Sequence, residues 1–346
     1  MKTLSIAVIL AMILTLTVNG TYAAQANLYL TAYGSSARTS SNDGVTWSQF
    51  LNFGSGRWRG GTCDSSGNVF FTNRDGSPST AVPLNAYKAD GTLIATNAYN
   101  WTDSFNQLPI GFFGGYVYVS AGAAGGTGQG FGSSSFNGTA FGSVPLASAG
   151  VGTTWQANDL AFGTINGTNF MFYNGTGGRD LKRSQLVGNG TCINYHLVIT
   201  MTPSSGTLPA NFTDYAFSAN GRLLALGQGT TGSDGIWVSA PGKVANTAIS
   251  ITRSFAFSAT ETPANGDMGP NARDMVLLGT NLYAVSDTRC YHYMLDDESG
   301  TLTFDTTSGQ THGYNNNSTQ IGGFLVPEPT LLGVLALGAL LLRKRA

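Results

Sequence analysis

Gly61-Thr62-Cys63-Asp64-Ser65-Ser66-Gly67-Asn68-Val69-Phe70-Phe71-Thr72 sets two short strand-forming runs on either side of a tight turn. The second run, an apolar strand entered through Asn or Gly, returns at Asn27-Leu28-Tyr29-Leu30-Thr31, Gly115-Tyr116-Val117-Tyr118-Val119 and Asn169-Phe170-Met171-Phe172-Tyr173. Arg222-Leu223-Leu224-Ala225-Leu226 and Asn281-Leu282-Tyr283-Ala284-Val285 bring the copies to six, with their first apolar positions 41 to 59 residues apart. From the second copy onward a partner run precedes the strand. It is Ile110 to Phe113 before Gly114-Gly115, Leu160 to Phe162 before Asn166-Gly167, Tyr215 to Phe217 before Asn220-Gly221, and Met275 to Leu278 before Gly279-Thr280. Asn-Gly and Gly-Gly favour two-residue hairpins because both central residues of a type I′ turn need positive φ.

Later strands complete some units, as in Leu84 to Lys88 and Thr92 to Thr96 around Asp90-Gly91, or Cys290 to Leu295 followed by Thr301 to Phe304. A unit of four short strands repeating at this spacing predicts an all-β chain folded as a single β-propeller of six blades. The first copy lacks its preceding strand, while Gln320 to Val326 is an inner-type strand without a hairpin of its own. Pairing the two would close the ring from both termini. A two-sheet sandwich or jelly roll accounts less well for such regular hairpins.

Composition agrees with a β domain. There are 47 glycines in 346 residues and only 10% charged residues. Glu, a strong helix former, is confined to Glu261 and Glu298 ahead of the tail. Removing Lys2, Arg343, Lys344 and Arg345 from the 17 basic residues, and Glu328 from the 18 acidic ones, leaves 13 against 17, a net charge of about −4 that argues against nucleic-acid binding. Cys63, Cys192 and Cys290 form no CxxC pattern, though one pair could bridge in an oxidising compartment. His196, His292 and His312 are scattered, so neither a metal site nor a cofactor is expected. Gly122 to Gly132 lacks a following Lys-Ser/Thr and reads as a loop rather than a phosphate cradle. The Asn-x-Ser/Thr sequences, among them Asn137, Asn174 and Asn189, are mostly Asn-Gly-Thr turns.

Both ends carry export features. Lys2 precedes an apolar run from Leu4 to Val18 and a small, polar stretch ending Ala24-Gln25-Ala26, the order of a secretory signal peptide spanning 1–26. About fifteen residues rise only about 23 Å as a helix, short of a hydrocarbon core of roughly 30 Å. At the other end Pro327-Glu328-Pro329 is followed by an apolar stretch from Thr330 to Leu342 and by Arg343-Lys344-Arg345. The basic cluster should stay on the cytoplasmic side, which makes the stretch a short stop-transfer helix.

This tail resembles the PEP-CTERM sorting signal: Pro-Glu-Pro, a short Leu/Gly/Ala-rich transmembrane helix and a terminal Arg/Lys cluster. The resemblance covers residues 326–346 and implies processing by signal peptidase and by an exosortase, a membrane cysteine protease. It also implies transient anchoring in the inner membrane, then release to the cell surface or extracellular matrix. It says nothing of what the domain at 27–325 does.

Ser41-Asn42-Asp43-Gly44-Val45-Thr46-Trp47 resembles a shortened Asp box, Ser-x-Asp-x-Gly-x-Thr-Trp, of sialidase-like propellers, with one residue missing between Asp43 and Gly44. The resemblance implies that Asp43 caps its own hairpin, that Trp47 packs between sheets, and that the box is a folding element away from a catalytic face.

Several inner strands begin with a charged or polar residue, which a propeller brings together on one face. Arg59, Asp159, Asp214, Arg273 and Asp274 are the candidate ring, with Trp58, Trp155 and Tyr215 as aromatic surface suited to glycan or protein. The plainer reading is that these groups cap strand ends and satisfy one another. The sequence therefore favours a non-catalytic surface or matrix module binding an extracellular polysaccharide or envelope protein. The alternative is a carbohydrate-active enzyme, a glycosidase or lyase, drawing two carboxylates from Asp159, Asp214 and Asp274.

Overall fold

A computed structural model describes residues 25–326, apart from 32–35, 55–57, 74–81, 100–109, 122–129, 143–145, 148–159, 175–180, 189, 230–231, 243–246 and 315–319. Residues 1–24 of the expected signal peptide and 327–346 of the expected sorting tail, with the short helices expected there, lie outside these residues. Among the described residues no helix is long and apolar enough to cross a membrane.

Nearly all the regular structure is strand. The first unit holds β1 (Ala26–Thr31), β2 (Ser36–Ser40) and β3 (Ser48–Asn52). The second holds β4 (Trp58–Cys63), β5 (Val69–Asn73), β6 (Val82–Tyr87) and β7 (Leu93–Tyr99), and the third β8 (Ile110–Phe113), β9 (Tyr116–Ala121), β10 (Gly130–Ser135) and β11 (Leu146–Ala147). Next come β12 (Ala161–Ile165), β13 (Thr168–Asn174), β14 (Leu181–Leu186) and β15 (Cys192–Pro203), then β16 (Asn211–Phe217), β17 (Leu223–Gln228), β18 (Gly235–Ser239) and β19 (Ala248–Ala256). Two single 3-10 turns, Pro263–Asn265 and Gly269–Asn271, lead into β20 (Asp274–Leu278), β21 (Asn281–Val285), β22 (Arg289–Asp296), β23 (Thr301–Phe304) and β24 (Gln310–Thr311). The last strand is β25 (Gln320–Leu325).

Each unit is an antiparallel meander, and the strands form five sheets. Three sheets have four strands and one has five, while β12 to β19 make a single sheet of eight, in which two meanders join where β15 pairs in parallel with β19. The leading strands lie side by side in a closed cycle: β25 beside β4, β4 beside β8, β8 beside β12, β12 beside β16, β16 beside β20, and β20 beside β25. The arrangement is β-propeller-like. Ring closure follows the expected pairing, since β25 runs antiparallel to β1 with Ala26 opposite Leu325 and Thr31 opposite Gln320.

Apolar alternation explains the packing. Leu28 and Leu30 face Tyr283, Val285 and Cys290 of the last unit, while the intervening Tyr29 faces Trp58, Val69 and Phe71 of the second. Successive strand residues point to opposite faces, so a strand buried on both sides feeds two cores. There are accordingly six apolar clusters, each shared between neighbouring units.

The hairpins fall into three kinds, one of them Gly279-Thr280, a two-residue turn with positive φ at the glycine alone. Gly114-Gly115 and Asn166-Gly167 have positive φ at both central residues, as a type I′ turn requires. At 64–68 and 218–222 the turn is wider, and only the glycine is left-handed. There a side chain supplies the missing acceptor: Asp64 Oδ1 takes the N–H groups of Ser66 and Asn68, and Ser218 Oγ takes that of Arg222.

Candidate functional site

The leading strands enclose a cavity of about 290 Å³, lined by β4, β8, β16, β20 and β25 and by Leu160, Ala161 and Phe162. Its wall is mostly glycine, phenylalanine and aliphatic residues, and its polar side chains include Thr62, Tyr215, Asp274 and Gln320.

Asp214, midway along β16 just after a register shift, and Asp274, which heads β20, are 1% and 9% exposed. Their carboxylates point sideways, along the ring. Asp214 Oδ2 accepts the backbone N–H of Met275, and Asp274 Oδ2 accepts that of Ile321 at 2.8 Å. Gln320, which heads β25, continues the series by accepting the N–H of Gly60 at 2.8 Å through Oε1. Thr62 Oγ1 then accepts the N–H of Phe112 at 3.1 Å. Neighbouring leading strands of different sheets cannot share a ladder, so their facing N–H groups need acceptors from side chains. A polar side chain on one leading strand meets that need for the next.

Asp214 and Asp274 also converge, since Met275 N–H lies within reach of Asp214 Oδ2 and of Asp274 Oδ1, the latter at 3.0 Å. Tyr215 is 2% exposed and belongs to the core between the fourth and fifth units. Arg273 turns away to a two-point pair with Asp287, at 2.6 and 3.0 Å, across the loop that ends β21. Trp58 is 7% exposed and stacks on Phe53 at 4.2 Å, so it fills a core instead of offering a platform. The Arg59 side chain, Trp155 and Asp159 lie outside the described residues, as do Pro327, Glu328, Pro329, Arg343, Lys344 and Arg345. The structure thus places Tyr215 and Asp274 on the cavity wall, joins Asp214 to Asp274 through the N–H of Met275, and separates Trp58 and Arg273 from the cavity.

Gln320 and Thr62 were missed in the sequence. Gln320 was findable, because it heads the ring-closing strand as Asp274 heads β20. Thr62 follows a register shift between Gly60 and Thr62, which no local pattern announces.

The hairpin at 40–47 corrects a second expectation. The capping side chain is Asn42, whose Oδ1 accepts from Thr46 N–H at 2.9 Å and from the Ser40 and Thr46 hydroxyls. Asp43, at φ 57°, points outward, and its Oδ1 accepts from Ala26 N–H at 2.8 Å and from Tyr283 of the last unit at 2.7 Å. The box therefore begins at Ser40 with Asn in the aspartate position and no residue missing. Trp47 donates Nε1–H to Gly44 and meets His312 edge-on, between the first and last units.

The three cysteines are free thiols, and no pair bridges. Burial pushes Cys192 up to about 12 and raises Cys63 and Cys290 as well, with Asp64 and Asp43 beside them adding to the shift. None has the lowered pKa of a nucleophilic thiol. Among the described residues no group of three His, Cys, Asp or Glu side chains could hold a metal ion.

No family model and no curated protein matches the chain. Several solved structures are similar to it at low identity. A functionally unknown protein from Desulfotomaculum acetoxidans is 13% identical with a TM-score of 0.51, over 81% of this chain and 78% of that one. A putative 6-phosphogluconolactonase from Bacteroides uniformis is 11% identical with a TM-score of 0.48, over 81% and 82%. TolB from Acinetobacter baumannii is 10% identical with a TM-score of 0.49, over 87% and 67%.

Proposed function

We propose that the chain is an exported, six-bladed propeller, sorted through its C-terminal tail to the cell surface or matrix, where it serves as a non-catalytic binding module for glycan or protein. Six blades follow from counting the eight-stranded sheet as two, each with its own leading strand in the closed cycle. The observation that carries the non-catalytic reading is the use of Asp214 and Asp274, both buried, as acceptors for backbone N–H groups of the adjoining strand. A carboxylate that acts on substrate has to present an oxygen to it. These hold the ring instead.

The alternative of a carbohydrate-active enzyme draws on one observation, the convergence of the two carboxylates beside the cavity. Protein recovered from the native host and tested against envelope and matrix polysaccharides separates the readings. Binding without turnover, on a chain that mass spectrometry finds to start between Ala24 and Asn27 and to end near Pro327, is the expected result. Product release would overturn the non-catalytic part, and an exported chain that keeps Arg343 to Arg345 would overturn the sorting part.

A further inference from the structure

Both ends of the folded domain leave from one place. Ala26 pairs with Leu325, and Val326 N–H donates to Gln25 at 2.8 Å, so the first and last described residues are neighbours on antiparallel strands. Hairpins of three units surround this exit: Asp43 bonds Ala26, Phe324 packs over Gly67, and Leu325 lies against Gly279. Gln320, at the other end of β25, is roughly 17 Å away at about 3.4 Å per residue. The chain ends and the heads of the leading strands thus mark opposite faces.

Among the described residues, the exit face also carries most of the exposed large apolar side chains. Val45 (41% exposed) lies in the turn between β2 and β3, Leu93 (53%) follows the turn between β6 and β7, and Ile193 (38%) follows that between β14 and β15. Met294 (47%) precedes the turn between β22 and β23. Leu197 and Val198, further along β15, are the remaining two. Singly such residues need no explanation. Four on third-to-fourth-strand hairpins of one face do.

We infer that, while the tail is anchored, the domain rests on the bilayer through this exit face, with the strand heads and cavity mouth turned away. The inference builds on reading the tail as a membrane segment. Only Pro327, Glu328 and Pro329 separate Val326 from the apolar stretch that begins at Thr330. Four residues span at most about 14 Å fully extended. A headgroup layer takes about 5 to 8 Å of that, so the domain has almost no room to stand off. Val45, Leu93, Ile193 and Met294 then meet the interface, while the acidic turn at Asp296 and Glu298 makes a zwitterionic surface the better match than an anionic one.

The test uses the full chain in phosphatidylcholine nanodiscs, with single substitutions Val45→Cys, Leu93→Cys and Met294→Cys on the exit face and Pro270→Cys and Thr288→Cys on the other. Labelling by a charged maleimide is normalised to each variant's rate in urea. Several-fold slower labelling at the first three sites is expected. Equal rates on both faces, or slower labelling at positions 270 and 288, would overturn the orientation. A chain that does not migrate with the discs would instead overturn the membrane reading of the tail, before any labelling is compared.

Discussion

The ring is joined at two places by quite different means. At the seam, β25 and β1 come from opposite ends of the chain, pair along six residues, and seat against β4 through bare backbone. A Cβ added to Gly322 would come within 1.6 Å of the Gly61 carbonyl oxygen. Between the fourth and fifth units the junction is instead a parallel pairing of outer strands, from Thr200 opposite Ala248 to Pro203 opposite Ile251. Thr200 N–H donates to Thr247, Ser204 N–H to Ile251, and the Ser204 and Thr252 hydroxyls meet at 2.9 Å. The seam closes a long loop and has no slack. The outer zipper joins units already adjacent in sequence, so losing it should leave the ring closed.

This contrast can be broken from the seam side. Gly322→Ala should have the largest effect, since both colliding groups are backbone, and a loss of about 3 kcal/mol or more in denaturant unfolding is expected. A loss under about 1 kcal/mol would mean that the strands part easily.

Acid should act at the same seam. His312 is fully buried there, donates from Nε2 to Ser286 at 3.1 Å and accepts Tyr314 N–H at Nδ1, which fixes it as neutral. Burial lowers it to about 4, with Arg38 adding to the fall while the Ser286 carbonyl and Asp287 oppose it. The unfolded chain takes up this proton near pH 6.5 and the folded chain only near 4. Stability from this group is therefore intact above pH 6.5 and declines as pH falls towards 4, by up to about 3 kcal/mol. His312→Gln should flatten that part of the profile when unfolding is followed against pH.

The zipper should yield the smallest change. Thr200→Pro removes one of its hydrogen bonds at an exposed position, for about 1 kcal/mol. Hydrogen exchange should quicken at β15 and β19 and not at β1 or β25. Faster exchange at the seam would show that the two junctions act as one.

The same contrast separates what was legible in the sequence from what was not. The leading hairpins repeat a local pattern, apolar alternation around Gly or Asn-Gly, and the ring-closing strand shows itself because Gln320 to Val326 has no hairpin partner. The parallel pairing of β15 with β19 has no such signature, since its partners are dozens of residues apart and neither carries a turn signal. At the site, strand heads bearing Asp or Gln were visible as a recurring position. Their direction was not, because sequence alone cannot say whether a carboxylate faces the cavity or the neighbouring strand's N–H. Asn42 was misread for a related reason: Asp43 is the more familiar cap, and only the hydrogen bonds show it reaching to Tyr283.

Whether the carboxylates at the strand heads serve the ring or a ligand is tested most directly by Asp214→Ala and Asp274→Ala, each measured for unfolding midpoint and for polysaccharide binding and turnover. Asp274→Ala strands the buried N–H of Ile321, and Asp214→Ala leaves the N–H of Met275 only Asp274 Oδ1 of its own strand. A stability loss of roughly 2 to 3 kcal/mol is therefore predicted, with binding per folded molecule unchanged. An unchanged midpoint with binding or turnover abolished would contradict the account and make these residues a working site.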